Sequence, residues 1–404
     1  MKTEKLYHYD SYQKTFQASI VDKYLDKGKY AVILNQTCFY PTSGGQICDK
    51  GFIENIPVID VEENNERIIH YLENEIIAGI GELVTGTIDW QHRFDHMQQH
   101  TGQHILSGAL IKLWQKETQS FHMGMDICTV DIPAMVLDEQ KIDEIEQLVN
   151  KIISENRQIC HYYLKNRDEL INYRFRDKQE KLEQLRIIAI EDFDRSACGG
   201  THCQKTGEVG LIKITGWENR KDKTRISFLC GFRALSDYQQ KHRIIKNLSN
   251  FFTTGIENLE EKIIRLNQEQ KELSKLYSKM ERKIIEQESE ELKEKNRREE
   301  KGLFLIEKLF LEQKVQNVRQ IAFLLSKEEK TVIILGAEKP EPTLCIACSV
   351  DINYHIKEIL NQVMAEFKGK GGGSDYMVLG KLKREEDVKK ACQRVAELIP
   401  SFSL

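Results

Sequence analysis

Short apolar runs separated by turn residues dominate the first part of the chain. They read "YAVILNQTCFY", "GFIENIPVIDVEE", "ERIIHYLE" and "GELVTGTIDW", with turn sequences such as "PTSGGQ" between them. Runs of this length, broken at such regular intervals, are typical of β-strands rather than helices. The pattern predicts a small β-barrel over residues 1–90.

A helical period replaces the strand pattern from Trp90 to about Lys116, and Asp89 precedes it as a candidate cap. Further on, "TVDIPAMVL" predicts a strand, "DEQKIDEIEQLVNKIISENRQI" an amphipathic helix, and "LRIIAIEDFD", "GLIKITGWENR" and "TRISFLCGFRAL" more strands. Helices and strands thus share residues 91–235, which we expect to form a second, α+β domain.

A charged helix is predicted over residues 236–300. Its apolar positions form a heptad seam of Ile256, Leu259, Ile263, Leu266, Leu273, Met280 and Ile284, interrupted at Gln270 and Tyr277. Such a seam favours a coiled-coil arm or a helical hairpin, with a single solvated spacer helix as the alternative.

The last segment, residues 301–404, predicts a compact α/β domain. It reads as a helix from "LFLIEKLF" to "IAFLLS", strands "TVIILGAE" and "TLCIACSV", a helix, a glycine loop "KGKGGGS", a short strand and a final helix. The predicted fold is therefore α+β and multidomain: barrel, second α+β domain, helical arm and C-terminal α/β domain.

Composition narrows the class of protein. The chain has 404 residues, 30% of them charged, and a net charge of −4, so any nucleic-acid contact has to come from local basic patches. It has no apolar run near the roughly 18 residues that span a bilayer, and its first residues lack a secretory pattern, so we expect a cytoplasmic protein. The ten cysteines are then mostly reduced, and the pair Cys345 and Cys348 is expected in a buried strand.

Two histidine and cysteine motifs suggest a metal site. In "HRFDHMQQHTGQH" four histidines, His92, His96, His100 and His104, recur every four residues on the predicted helix. Each step of four drifts by about 40°, so only neighbouring histidines can share one ion. The turn "CGGTHC" adds Cys198 and His202, completing a nitrogen and sulfur set suited to zinc. The spacing leaves open which adjacent histidine pair is used.

Three motifs, "FYPTSGGQICDKG", "HTGQH" and "CGGTHC", occur in an order and spacing that resemble those of the free-standing alanyl-tRNA editing proteins. These are relatives of the editing and C-terminal domains of alanyl-tRNA synthetase. The resemblance covers roughly residues 1–235 and implies that one zinc ion per chain is held by His100, His104, Cys198 and His202. It leaves His92 and His96 outside the metal's ligands.

The tail "KGKGGGSDYMVLGK" resembles the GGG segment of the DHH-associated domain that ends alanyl-tRNA synthetase, where it helps to hold tRNA. This likeness implies the long form of the family and a substrate-binding role for Lys370, Gly371, Gly372 and Gly373. The Asp-His-His motif of DHH phosphoesterases and the ATP-binding motifs of the synthetase are not found in the sequence. Neither of those activities is expected.

The resemblance implies an aminoacyl-tRNA deacylase that hydrolyses the ester between serine, or glycine, and alanine tRNA. Thr42, Ser43 and Gln46 are then the candidate catalytic residues, and Ser120 and His122 the candidate walls of the substrate pocket. Zinc either positions the substrate or activates water, and we favour positioning.

Transfer RNA is the expected partner, and a homodimer through the coiled coil or the C-terminal domain is a further expectation. The candidate tRNA contacts are Arg220, Lys221, Lys223 and Arg225 in one patch, and Lys368, Lys370, Lys381, Lys383 and Arg384 in another. Two other functions stay open: editing of serine on threonine tRNA, because related domains occur in threonyl-tRNA synthetases, and a non-catalytic tRNA-binding module with structural zinc.

Overall fold

The structure, a computed structural model, describes residues 2–163, 185–300, 302–352 and 355–399. The chain divides into two units, Met1–Phe251 and Phe252–Leu404. The boundary between the units falls inside the segment predicted as a helical arm, and the finer four-part division stays a prediction.

Eight strands precede the first helix: β1 Glu4–Lys5, β2 Thr15–Asp26, β3 Lys29–Leu34, β4 Gln36–Thr37, β5 Gly51–Ile53, β6 Ile56–Asn64, β7 Arg67–Leu72 and β8 Leu83–Ile88. Six of them form a closed barrel in the order β2-β3-β7-β6-β5-β8. The ring closes because β8 pairs antiparallel with both β2 and β5. Phe16, Ala18 and Ile20 alternate along β2 and point into the barrel core, as the period of two requires.

The first helix, α1 Trp90–Trp114, lies at the centre of the first unit, with every residue from His96 to Leu110 buried. Asp89 caps it, accepting a 3.2 Å hydrogen bond from the His92 amide, so the predicted start is confirmed. Its buried polar groups are satisfied locally: Gln99 donates 3.0 Å to the Cys230 carbonyl and accepts 2.9 Å from the Cys230 amide. The helix is therefore surrounded by protein on all sides rather than amphipathic.

The elements around α1 are β9 Ser120–Met123, β10 Cys128–Pro133, α2 Glu139–Ser154, β11 Ile159–Tyr163, β12 Arg186–Ile190, β13 Asp194–Ala197, β14 Ile212–Asn219, β15 Lys223–Cys230 and α3 Gly231–Phe252. They form a four-stranded sheet, β14-β15-β10-β9, and a three-stranded sheet, β11-β12-β13. The predicted α+β character of this region is confirmed.

A buried ion pair joins the loop after β4 to α1. Arg93 Nε donates 2.8 Å to Asp49 Oδ1, Arg93 Nη2 donates to Asp49 Oδ2, and both side chains are 0% exposed. Arg93 Nη1 also donates 2.9 Å to the Ser11 carbonyl. Burial alone lowers the pKa of Arg93, but the Asp49 carboxylate more than offsets this, and the pKa is raised. The guanidinium thus stays charged, with its donors directed at the barrel side.

The second unit is a six-stranded sheet in the order β16-β17-β18-β19-β21-β20. Its elements are α4 Leu259–Asn296, β16 Arg297–Glu300, β17 Leu303–Glu312, α5 Val315–Leu325, β18 Thr331–Lys339, β19 Thr343–Cys348, α6 Ile356–Glu366, β20 Lys370–Gly373, β21 Met377–Lys381 and α7 Glu386–Leu398. Helices α6 and α7 pack on one face of the sheet, and α5 with the end of α4 packs on the other.

Two predictions about this unit are wrong. The run "LFLIEKLF" is strand β17, which pairs in parallel with β18, and not the start of a helix. Short apolar runs fit either structure by pattern alone, and here the sheet neighbour decides. The glycine loop is instead the edge strand β20, in which a Cβ on Gly371 would lie 2.5 Å from the Leu379 carbonyl oxygen. The charged helical segment predicted over 236–300 is divided into α3, which ends at Phe252, and α4, which begins at Leu259, and Thr253 between them is left-handed with φ 50°.

The coiled-coil arm itself stays a prediction. Much of the seam on α4 is exposed, with Ile263 at 42%, Leu273 at 67% and Met280 at 55%. The end of the helix behaves differently, because Ile285 and Leu292 are buried in the core beneath α5. Only the last turns of α4 are therefore held by the sheet of this unit.

The buried-strand prediction for the CxxC pair is confirmed. Cys345 and Cys348 are both buried on β19, and burial raises their pKa values to about 12 and about 11. Cys345 lies in the core beneath α5 and Cys348 in the core beneath α6, on opposite faces of the sheet. They cannot form one redox or metal pair. No helix among the described residues has the length and apolar character needed to cross a membrane.

We predict that Arg93→Met lowers the free energy of unfolding of the first unit by about 3–5 kcal/mol, because it leaves the Asp49 carboxylate buried and unpaired. All three tryptophans lie in this unit, so urea denaturation followed by tryptophan fluorescence measures it selectively. The exposed pair of Lys2 and Glu66 provides the control, and Lys2→Met should cost less than about 1 kcal/mol. A loss below about 1 kcal/mol for Arg93→Met would contradict the prediction.

A second prediction concerns pH. His70 on β7 is fully buried, its Nδ1 lies 3.1 Å from the Val32 carbonyl oxygen, and burial lowers its pKa to about 4. The unfolded chain takes up this proton near pH 6.5 and the folded chain only near pH 4, so acidification through that window stabilises the unfolded state. We expect His70→Gln to remove about 3 kcal/mol of the stability lost between pH 7.5 and pH 4. The exposed His242→Gln should leave that pH dependence unchanged, and equal slopes for wild type and His70→Gln would refute the assignment.

Candidate metal centre

Four side chains meet beside the middle of α1. His100 and His104 come from the helix, and Cys198 and His202 from the turn that follows β13. Their ligand atoms all lie within 4.8 Å of one another, and the three histidines are buried. The His100 and His104 rings are nearly parallel, with centroids 5.2 Å apart. The spacing is close enough for all four to hold one metal ion.

Glycine lets the turn approach the helix this closely. A Cβ on Gly200 would lie 2.2 Å from Cε1 of His100 and 2.9 Å from Oε1 of Gln46, so no other residue fits without displacing them. The Gly200 amide also donates to the Cys198 sulfur over 3.4 Å. The second glycine of the "CGG" sequence therefore has a steric reason.

The proton of His100 is placed by Gln46, whose side chain is fully buried. The Thr201 amide, which can only donate, lies 3.2 Å from one side-chain atom of Gln46, which must therefore be Oε1. Gln46 Nε2 then donates 2.8 Å to the Thr201 hydroxyl. His100 Nδ1 lies 2.7 Å from the same Oε1 and so carries the proton. The lone pair is left on Nε2, which lies 3.3 Å from the Cys198 sulfur.

His104 is oriented in the same way from its other side. Its Nδ1 lies 2.8 Å from the Ser196 hydroxyl, which donates in turn to Asp194 Oδ2 over 3.3 Å. The carboxylate oxygen is itself 3.8 Å from Nδ1. A proton on Nδ1 suits both neighbours and leaves Nε2 as the lone-pair nitrogen. Outer partners of this kind are the usual way proteins orient metal-binding histidines.

The protonation states also fit a metal ion. Burial alone raises the pKa of Cys198, but the His100 and His202 rings outweigh it and hold the pKa well below its ordinary value. Burial lowers the pKa of His202 well below its usual range. A thiolate and neutral imidazoles are the forms that bind metals. Neither ring nitrogen of the buried His202 has a hydrogen-bond partner among the described residues, and a bound metal ion would satisfy one of them.

Comparison with known proteins places the chain in a family. Family models match at residues 2–92 (tRNA synthetases class II (A)), 185–227 (Threonyl and Alanyl tRNA synthetase second additional domain) and 304–401 (DHHA1 domain). Alanyl-tRNA editing protein AlaX-L of Pyrococcus horikoshii is 31% identical over 393 residues, covering 95% of this chain and 96% of that protein. The chain belongs to the alanyl-tRNA editing protein family.

The family also shares sequence with full synthetases. Alanine--tRNA ligase of Pyrococcus furiosus is 32% identical over 407 residues, which are 97% of this chain but 43% of the ligase. The chain thus spans less than half the length of the ligases that it matches. The C-Ala domain of Aquifex aeolicus alanyl-tRNA synthetase matches 26% of this chain at 22% identity with a TM-score of 0.24, too low to establish a shared fold.

Among the family's predicted site residues, those of the glycine motif divide into two groups. Gln46 lies behind the His100 ring, whereas Thr42 and Ser43 are exposed. The turn between Ser43 and Gln46 needs positive φ at Gly44 (57°) and Gly45 (84°). The Thr42 hydroxyl accepts 3.1 Å from the Cys48 amide. The glycine motif thus supplies two kinds of group. The buried Gln46 side chain orients a histidine, and the hydroxyls of Thr42 and Ser43 lie at the surface.

Ser120 and His122 do not face the histidine cluster. Successive side chains on strand β9 point to opposite faces, and Phe121, between the two, stacks on His100 with centroids 5.6 Å apart. Ser120 instead donates 3.1 Å to Asp131 on the other face. The residue of this strand that faces the cluster is Phe121, which the sequence reasoning missed because the phase of the strand was not fixed.

The basic patches differ in how far their charges are already paired. In the first patch Lys223 and Arg225 both bind Asp131, each at 2.7 Å. In the second, Lys381 binds Glu341 at 2.9 Å, and Arg384 binds Asp387. The remaining lysines form no ion pair among the described residues: Lys221 in the first patch, and Lys368, Lys370 and Lys383 in the second. These are the cations most available to a phosphate backbone.

The outer partners of His104 could have been found from the sequence. Asp194, Ser196 and Cys198 alternate in "DRSAC" and so share one face of β13 and its continuation. Since Cys198 faces the cluster, its alternate neighbours had to approach the same place. The partner of His100 has no such local signal, because Gln46 is 54 residues away.

We predict that protein stripped of metal gains stability when Zn²⁺ or Co²⁺ is added, by about 2.7 kcal/mol at 100 times the dissociation constant. His202→Ala should lose most of this gain because it removes a ligand. His96→Gln alters a buried histidine of the same helix outside the cluster and should keep it. Urea denaturation with and without the ion measures the difference, and equal gains for both variants would contradict the site.

Proposed function

We propose that the chain is a trans-acting aminoacyl-tRNA deacylase that hydrolyses serine from alanine tRNA, with glycine as a second candidate amino acid. The observation that carries the proposal is the cluster of His100, His104, Cys198 and His202 with its outer partners already in place. It occurs in a chain that aligns with nearly the whole of a protein named for alanyl-tRNA editing.

Zinc is the proposed ion, because three neutral imidazoles and one thiolate form a typical tetrahedral set for it. When bound, zinc would supply a fixed positive point that can hold the amino group or terminal ribose of the substrate, or polarise its ester carbonyl. The chain's own contribution is orientation. Gln46 and Ser196 hold the two helical imidazoles, so we assign Gln46 as a positioning residue rather than a catalytic one.

The attacking water has to be oriented by other polar groups if four side chains fill the metal's coordination. Thr42 and Ser43 are the candidates, because they stand at the exposed end of the glycine turn whose buried end contacts His100. Phe121 covers the other side of that ring and limits the access of bulk water to it. The hydroxyls can therefore hold a water without being part of the metal's ligand set.

Selectivity for serine follows from ordinary hydrogen-bond energetics. A site that pairs with the serine hydroxyl leaves its own buried groups unpaired when alanine enters, at a cost of about 1–3 kcal/mol each. A pocket of the synthetase cannot reject so small a difference by binding alone, so a second hydrolytic site is useful. This discrimination protects the correct product.

The second unit is proposed to hold tRNA. Strand β20 is an exposed edge whose glycines let another backbone approach closely, and Lys368, Lys370 and Lys383 provide positive charge near it in sequence. A homodimer remains a proposal that light scattering can test. Serine on threonine tRNA is a second candidate substrate, because the family model over residues 185–227 is shared by threonyl and alanyl synthetases.

The test is deacylation by purified protein of Ser-tRNA(Ala), Ala-tRNA(Ala) and Ser-tRNA(Thr), with zinc content measured on the same sample. We expect rapid loss of serine from alanine tRNA only, with about one zinc per chain. His104→Ala should reduce kcat/KM by more than the roughly 10- to 100-fold typical of outer partners, while tRNA binding remains. The surface variant His242→Gln should be unaffected.

Other outcomes separate the alternatives. Hydrolysis of Ser-tRNA(Thr) in preference would change the substrate assignment but keep the enzyme. Tight tRNA binding with no hydrolysis of any of the three substrates would refute the deacylase and support a binding module.

A further inference from the structure

We propose that Arg186 and His8 are positioning residues for the metal-binding turn. Together they hold the carbonyl groups of residues 198–200, and through them the placement of the Cys198 and His202 side chains. The inference rests on the proposed metal site, and it assigns a role to two residues that lie outside the three sequence motifs.

Arg186 starts strand β12 and reaches the turn with its guanidinium. Its Nη1 donates 2.8 Å to the Gly200 carbonyl and 3.1 Å to the Cys198 carbonyl, so one nitrogen bridges both ends of the segment. Its backbone contributes as well, because the Cys198 amide donates 3.0 Å to the Arg186 carbonyl. Only 6% of the residue is exposed, and these contacts are therefore shielded from water.

His8 holds the carbonyl in between. Its Nε2 lies 3.0 Å from the Gly199 oxygen, although the two residues are 191 positions apart in the sequence. A carbonyl oxygen only accepts, so Nε2 must carry the proton. Three successive carbonyls are thus fixed from outside the turn, two by Arg186 and one by His8, which comes from the segment before the barrel.

The turn needs such external support because of its composition. Gly199 and Gly200 have more backbone freedom than any other residues, and that freedom must be lost before Cys198 and His202 can converge on one ion. Contacts to every carbonyl in the segment restrict it before the metal arrives. Preorganisation of this kind raises metal affinity without adding a ligand.

Arg186 also affects the charge of the site. No carboxylate forms an ion pair with it among the described residues, and its Nε has no hydrogen-bond partner there. Burial lowers the pKa of Arg186, and the Cys198 thiolate, followed by Tyr163, Tyr40 and Tyr7, offsets only part of this effect. With a dication bound, the region is therefore net positive, which suits the anionic end of an RNA.

The experiment measures the Zn²⁺ dissociation constant of the full chain by competition with a chromophoric chelator. Arg186→Met should raise it about 10- to 100-fold, as loss of an outer partner does. His8→Ala should raise it about two- to tenfold, as loss of one neutral hydrogen bond does. Arg186→Lys keeps the charge and one donor group and should fall between wild type and Arg186→Met.

Spectroscopy separates positioning from general destabilisation. In Co²⁺-substituted protein, the thiolate-to-cobalt charge-transfer band should weaken or shift in Arg186→Met, because Cys198 is no longer held. Since both residues act on one turn, the effects of Arg186→Met and His8→Ala on affinity should also be non-additive in the double variant. Loss of stability elsewhere would change neither measurement.

Arg157→Met is the matched control, because Arg157 Nη1 also donates to a backbone carbonyl, that of Glu191 at 2.9 Å, away from the turn. It should bind Zn²⁺ like wild type. A folded Arg186→Met protein with wild-type affinity and cobalt spectrum would overturn the proposal. If that variant does not fold, wild-type affinity in both Arg186→Lys and His8→Ala would overturn it instead.

The result is independent of the deacylase test. Wild-type protein that binds Zn²⁺ but does not hydrolyse Ser-tRNA(Ala) would refute the proposed activity and leave the affinity comparison intact. Active wild type with no affinity loss in the variants would refute only the role of Arg186 and His8.

Discussion

The buried contact between Arg93 and Asp49 sets the rotation of α1 about its own axis. At about 100° per residue, His100 lies seven residues on and about 20° to one side of Arg93, and His104 lies eleven residues on and about 20° to the other. Arg93 therefore shares a face with both ligands. The same carboxylate accepts a hydrogen bond from the Tyr40 amide, so it also fixes the residues that lead into the glycine turn containing Gln46. One ion pair thus aligns the two sides of the cluster.

The predicted and observed folds agree where the sequence pattern of a segment is enough to determine its secondary structure. Asp89 and the helical period locate α1 to within two residues, and the strands around the "CGGTHC" turn follow their apolar runs. Agreement fails where sheet partners decide. Strand β17 has the apolar content of a helix, but it pairs in parallel with β18, which begins only at Thr331. Strand β20 has the glycines of a loop, but it pairs with the next strand, β21, as a hairpin. The local propensity of neither segment indicates that pairing.

The same division applies to the site. The cluster of His100, His104, Cys198 and His202 could be predicted because histidines every four residues and a CxxxH turn restrict the geometry, and the family resemblance chose among the helical pairs. The residues that hold the cluster in place could not be predicted in this way, because they come from separate segments of the chain. They are Gln46 from the barrel loop, Ser196 from β13, Arg186 from β12 and His8 from near the start of the chain. Ser120 and Phe121 show that an error of one residue in the phase of a strand replaces the residue that contacts His100 with one on the opposite face.

Because the middle of α1 is completely buried, the site is more sensitive to a change in the number of residues in that segment than to a change in their identity. A substitution between Arg93 and His100 changes one contact, but inserting or deleting a single residue would turn the ligand face by about 100° away from the ion pair. All residues from His96 to Leu110 are buried, so a slip or bulge that absorbed the change would displace the side chains packed around the helix. We therefore expect this stretch to tolerate substitutions but not insertions or deletions.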